Sequence, residues 1–211
     1  MSATALLCAV AVSASGCGIG EAGPRPGVAA EVDGTVLSTS DLNTLVDAVC
    51  VITAATPDSA ATSRGAAQAS LLQSWVGSTV VNAFGDEQGI DGKAPEPDTG
   101  SIAGWDQLDS DQQSVVSDYL TRIGSAQAIA SASGGSPDPD DFDVVINPRF
   151  GLAIEDGQFV DEDGQLSVAV SDAAKDAATS TSGQLSADEV AALPDSQLCG
   201  ARPEAVATPE G

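Results

Sequence analysis

Ala29-Ala-Glu-Val-Asp-Gly-Thr-Val-Leu-Ser-Thr-Ser-Asp-Leu42 decides the fold. Two short apolar runs, Val28-Ala-Ala-Glu-Val32 and Thr35-Val-Leu37, flank Asp33-Gly34. An Asp-Gly pair tolerates the positive φ angles of a two-residue hairpin turn, so the runs are expected to pair as strands. Ser38 then stands where a helix cap is needed, with the acidic Asp41 three residues on. Leu42, Leu45, Val46, Val49 and Ile52 follow at spacings of three and four, one apolar stripe of a helix with Cys50 at its edge. Thr56-Pro-Asp58 ends that helix.

A second helix is expected from about residue 62 to 84 or 87, carrying Leu71, Leu72, Trp75, Val76, Val80, Val81 and Phe84 on one face. Residues 89–99 hold glycine and proline breaks and read as a loop. Asp109-Ser-Asp-Gln112 is a capping signature for a third helix with Val115, Val116, Tyr119, Leu120, Ile123 and Ile129 on its stripe. Residues 133–141, rich in Gly, Pro and Asp, terminate it. Val144-Val-Ile146, Leu152-Ala-Ile154 and Leu166-Ser-Val-Ala-Val170 are short β-type runs, separated by Asp/Gly turns and by the turn Asn147-Pro-Arg-Phe-Gly151. After residue 171 the chain is rich in Ala, Ser, Thr and Asp, too polar to bury a core of its own. Residues 185–193 can form a helical turn or two, stopped by Pro194. The fold class expected is mainly α with a small β element. Trp75 is placed in the core. Trp105, in the loop before the third helix, either covers the core edge or stays exposed as a binding aromatic.

Of the 211 residues, 31 are acidic and 7 basic, for a net charge of −24. The basic residues are scattered singly, with no stripe to follow a phosphate backbone, so nucleic acid is not an expected partner. Electrostatic docking onto anionic lipid is disfavoured for the same reason. The chain has no histidine, which removes Ser-His-Asp and Cys-His catalysis and every His-based zinc site. No Gly-x-Ser-x-Gly elbow, no Ser-x-x-Lys and no glycine-rich phosphate loop is present. Asp161-Glu-Asp-Gly164 fails the EF-hand spacing, and the run from Asp138 to Asp143 is broken by Pro139 and has no turn glycine. Both read as solvated turns. No catalytic residue, metal or cofactor is expected, and the protein is not expected to be an enzyme.

The N-terminus sets the compartment. Ala3-Thr-Ala-Leu-Leu-Cys-Ala-Val-Ala-Val-Ser-Ala-Ser-Gly-Cys17 is an apolar stretch running into small residues. Ala14-Ser-Gly-Cys17 resembles the lipobox of bacterial lipoproteins. It departs from the pattern at Ala14, where Leu is commonest, and in having no Lys or Arg before the apolar run. The resemblance implies cleavage before Cys17, a diacylglyceryl group on its thiol, and attachment to the extracytoplasmic face of the cell membrane. An ordinary secretory signal cut nearby, or a poor transmembrane helix, are the other readings of the stretch. Residues 1–16 are then the signal peptide, 17–28 a lipidated Gly/Pro tether, 29–170 the folded domain and 171–211 a low-complexity tail. Cys8 leaves with the signal and Cys17 is acylated. Cys50 and Cys199 remain in an oxidising compartment, which suggests one disulfide pinning the tail; the alternative for Cys50 is a buried free thiol.

The stretch from Ala29 to Leu42 resembles the opening of SurA/PrsA-type folding factors: strand, Asp-Gly turn, apolar pair, Ser/Thr, Asp-Leu. Val144-Val-Ile-Asn-Pro-Arg-Phe-Gly151 resembles a second segment found in actinobacterial lipoproteins with this N-terminal domain. The full-length family members carry a parvulin prolyl-isomerase domain whose site uses histidines. Here only residues 134–142 separate the third helix from the next strand, and there is no histidine. The resemblance therefore implies a SurA N-terminal-like helical domain with chaperone-like binding of unfolded or extended polypeptide through apolar helix surfaces, and no isomerase chemistry. The alternative from another class is an envelope scaffold lipoprotein with one specific protein partner; a small-molecule-binding lipoprotein is a third.

Cys17→Ala is expected to move the protein from the membrane fraction to the medium, or to block its processing, because stable anchoring rests on acyl chains rather than on charge. Fractionation and immunoblotting check this; unchanged membrane retention with normal processing is the contrary result.

Overall fold

The computed structural model describes residues 25–135, 137–161 and 186–202. Cys17, the signal, most of the tether and the run at 166–170 lie outside the described residues, as does most of the tail. The described chain is mainly helical with a few short antiparallel strands.

Strands β1 (Val28–Val32) and β2 (Thr35–Ser38) pair antiparallel around Asp33-Gly34. Both turn residues take positive φ, 45° and 80°, the geometry that an Asp-Gly turn supplies at low cost. Helix α1 (Thr39–Ala55) starts where the cap signature predicts: the Ser38 hydroxyl accepts from the Asp41 backbone N–H at 2.9 Å. Helix α2 (Arg64–Gln88) begins beyond Ser63, whose side chain accepts from the Ala66 N–H. Helix α3 (Ser110–Ser133) opens on a complete capping box between Asp109 and Gln112. Gly89 and Gly134 close α2 and α3 in the left-handed conformation.

The three helices pack on one another, and the sheet closes over them. Ala29, Ala30 and Val32 of β1, Leu42, Leu45 and Val46 of α1, and Leu72, Val76 and Val80 of α2 are at or near zero exposure. Trp75 lies in this core. Trp105 is partly buried against the core edge, its carbonyl accepting from the Gln113 amide at 3.1 Å. From α3, Val116 joins the central cluster, while Val115, Tyr119 and Leu120 pack half-buried against it. Burial raises the pKa of Tyr119 above its ordinary value, a hydrogen bond with Ser74 acting the other way.

Strand β4 (Val144–Ile146) lies against β1, giving a sheet in the order β2-β1-β4. Asn147 fixes this crossing: its backbone N–H donates to Ala29 O, and its side-chain amide donates to Val28 O, both at 2.9 Å. The partner of β5 (Leu152–Glu155) is β6 (Gln158–Asp161), turned around Asp156-Gly157. The sequence places Asp/Gly turns after Leu152-Ala-Ile154, and Asp156-Gly157 forms a hairpin of the same kind as the first. Ile154 and Phe159 of this hairpin pack against the core.

Near the C-terminus, α4 (Ala187–Ala192) is capped by Ser186, with Val190 and Leu193 buried. Strand β7 (Leu198–Cys199) pairs with β3 (Thr62–Ser63), just before α2.

Leu72→Ala removes a fully buried side chain from the middle of α2. It is expected to lower unfolding free energy by about 2–5 kcal/mol, read as a reduced denaturant midpoint at unchanged slope.

Candidate functional site

Three elements meet at the end of the sheet away from the tether. Residue 28 is where the tether joins β1; the Asp33-Gly34 turn is at the strand's other end. The turn is tied down there, since Asp33 Oδ1 accepts from the Asp143 N–H at 2.9 Å and the Asp33 N–H donates to Asp143 O at 3.0 Å. The C-terminal turns of α2 come alongside, bringing Asn82, Ala83, Asp86 and Glu87. Helix α3 contributes Arg122. Together with Thr35 and Thr79 these residues line a notch of about 320 Å³.

Arg122 forms its base. The guanidinium carbon lies over the Trp75 ring, 5.1 Å from its centre, a cation–π contact. One guanidinium N–H donates to Thr79 Oγ1 at 3.3 Å, and that hydroxyl donates to the Trp75 carbonyl at 2.7 Å. Asn82 braces the same turn, its side-chain amide donating to Ser78 O and to Arg122 O. The guanidinium is half-buried; burial pulls its pKa below the ordinary value, and the nearby Asp118 carboxylate acts in the opposite direction. Ion pairs among the described residues join Arg25 to Glu31, Arg64 to Asp47 and Arg202 to Asp195. None of them involves Arg122.

The rim has the opposite sign. Asp86 and Glu87 are exposed and stand in the last turn of α2, which carries no basic residue. A helix C-terminus already carries partial negative charge and favours cations, so carboxylates there are held at a cost. Asp33 adds a third across the notch.

Cys50 and Cys199 lie at disulfide distance, with Cα atoms 4.5 Å apart at a sequence separation of 149. Cys199 has no exposed surface. The pair holds the C-terminal segment against α1, and Arg202 secures the segment further, donating to Leu193 O at 2.8 Å and to Ala191 O. These are bracing contacts, remote from the notch in sequence and in the elements they join. Cys17 lies outside the described residues.

Among the described residues, no group of three or more His, Cys, Asp and Glu side chains is arranged to hold a metal ion. No helix among them is long and apolar enough to cross a membrane. Val36, on edge strand β2 and 43% exposed, is the one large hydrophobic side chain exposed among them. Of the apolar helix residues of the sequence reading, Leu42, Leu45, Val46, Leu71, Leu72, Trp75, Val76, Val80, Val116 and Ile129 are buried, while Val81, Phe84 and Ile123 are partly exposed. No family model, no curated protein and no solved structure matches the chain.

Sequence reading did not single out the notch. One signal was present: Arg122 falls between Tyr119 and Ala126, at helical spacing from both, so a lone cation occupies the margin of the apolar stripe of α3.

Replacing both Cys50 and Cys199 by Ser is expected to destabilise the domain by up to about 5 kcal/mol, the chain-entropy value for a loop of this length. Amide exchange is expected to rise first in residues 186–202 and at Thr62 and Ser63. Thiol labelling of the native, unreduced mature protein should find neither cysteine reactive; two labelled cysteines would contradict the bond.

Proposed function

We propose that this chain is an extracytoplasmic, lipid-anchored interaction lipoprotein, an envelope scaffold domain that engages one specific protein partner through a polar, acidic surface. The observation that carries this reading is the near absence of exposed large hydrophobic side chains among the described residues, Val36 being the exception. Holding many unrelated unfolded clients requires contiguous apolar area. Leu42, Leu45 and Val46 of α1 and Leu71, Leu72, Trp75, Val76 and Val80 of α2 are buried in the core. A charge-directed surface instead selects its partner by complementarity and steers its encounter.

The anchor rests on the Ser-Gly-Cys17 site, which the Gly/Pro tether joins to the folded domain. The Cys50–Cys199 pair suits an oxidising compartment. The order hairpin, capped helix, long helix, third helix and returning strand is the order that the SurA-type resemblance implies, and the sequence has no histidine. No bond chemistry is proposed.

Crosslinking in intact cells, followed by affinity purification through the C-terminus, tests this directly. One partner recovered in near-stoichiometric amount is the expected result. Recovery of many unrelated secreted proteins, together with suppression of client aggregation by the purified domain, would instead establish the holding activity.

A further inference from the structure

We infer that the notch between the β1–β2 turn, α2 and α3 binds a small zwitterion with one carboxylate and one ammonium group, the chemical class of the free amino acids. This goes beyond the scaffold reading and does not depend on it.

The argument starts at Arg122. Its guanidinium is half-buried and held in place from below by the face of Trp75 and from the side by Thr79. A guanidinium has five N–H donors in a fixed fork; the hydrogen bond to Thr79 uses one. No carboxylate among the described residues pairs with it. Withdrawing a charge from water is costly unless a partner of opposite sign completes it, and the geometry that best completes a guanidinium is a carboxylate accepting two parallel hydrogen bonds. Arg122 thus provides a held, partly desolvated carboxylate receptor opening into a 320 Å³ notch, near the small end of the roughly 300–1,000 Å³ typical of small-molecule sites.

A simple anion does not suit the rest of the notch. Asp33, Asp86 and Glu87 line it, Asp118 lies within electrostatic reach of Arg122, and the whole chain carries −24. Each of these repels a lone anion. A simple amine is drawn to the rim and to the C-terminal end of α2, yet meets the Arg122 charge at the base. A ligand with both groups satisfies both regions: carboxylate inward on Arg122, ammonium outward among the rim carboxylates. The hydroxyl of Thr35 adds a neutral hydrogen-bonding group along the wall.

The contact between Arg122 and Trp75 also provides a readout. In a Trp105→Phe background, Trp75 is the single tryptophan, and its emission reports on the guanidinium above it. The mature protein is titrated with each of the common L-amino acids, and with acetate, methylamine and inorganic phosphate as single-charge probes. Emission and ¹⁵N–¹H amide shifts are followed together. The expected result is that at least one amino acid shifts Trp75 emission and moves the amides of Thr35, Asn82, Asp86 and Arg122, at concentrations where acetate, methylamine and phosphate do not. Arg122→Gln should weaken this binding at least tenfold. The exposed pair Asp86→Asn and Glu87→Gln should also weaken it at least tenfold with an unchanged melting temperature, which keeps the test valid if Arg122→Gln does not fold. The inference is overturned if no amino acid moves these amides up to about 10 mM, ten times a weak Kd of 1 mM. It is equally overturned if acetate or phosphate alone binds as well as any amino acid, showing an adventitious ion only, or if methylamine alone does so. Retained affinity in the rim double variant overturns it as well.

Discussion

Strand β1 is the constraint on which the rest of the structure depends. It is hydrogen-bonded on both edges, to β2 and to β4, and Ala29, Ala30 and Val32 have no exposed surface. A strand used on both edges and packed against helices has no freedom of register, because a slip of one residue would carry Glu31 into the core and Val32 out of it. The small side chains of Ala29 and Ala30 let the sheet come close to α1 and α2. The cap at Ser38 then launches α1 directly from the hairpin, so the register of the sheet sets the position of the first helix. The same strand spans the distance between the tether and the notch.

The C-terminal segment is held by a different device. Its own composition is too polar to bury a core, and α4 has six residues. Val190 and Leu193 are nevertheless buried, because the Cys50–Cys199 pair, the β3–β7 ladder and the Arg202 contacts act together. Cross-linking across 149 residues restricts the unfolded chain as well as fastening the folded one. The notch lies elsewhere, built from the first hairpin and from α2 and α3, so the notch and the braced C-terminal segment occupy separate parts of the fold.

The helices were legible in the sequence because their signals are local. The stripe of α1, the Ser38 cap and the Asp109–Gln112 box each lie within a few turns of chain, and the structure places them as read. The hairpin at Asp33-Gly34 was legible for the same reason; the equivalent one at Asp156-Gly157 was not singled out because its flanking runs, Leu152–Glu155 and Gln158–Asp161, are short and contain polar residues. Pairings across large sequence separations left no local trace. Nothing near Val144 specifies β1 as its neighbour, and Asn147 donates to Val28 O across 119 residues. The notch was hidden by the same logic, since Asp33, Asp86 and Arg122 converge only once three elements have packed. Cys50 and Cys199 were paired by counting thiols, an argument that needs no geometry.

The central proposal is that this domain recognises its partner through charge rather than through apolar area. The salt dependence of its partner complex tests that most directly. Opposite charges at a surface are screened as the Debye length shrinks from about 10 Å at 0.1 M to about 3 Å at 1 M, whereas apolar contacts are not weakened by added salt. The Kd of the purified complex, measured by calorimetry from low to high sodium chloride, is expected to rise steadily with ionic strength. A Kd that stays constant or falls would contradict the account and return apolar binding to first place.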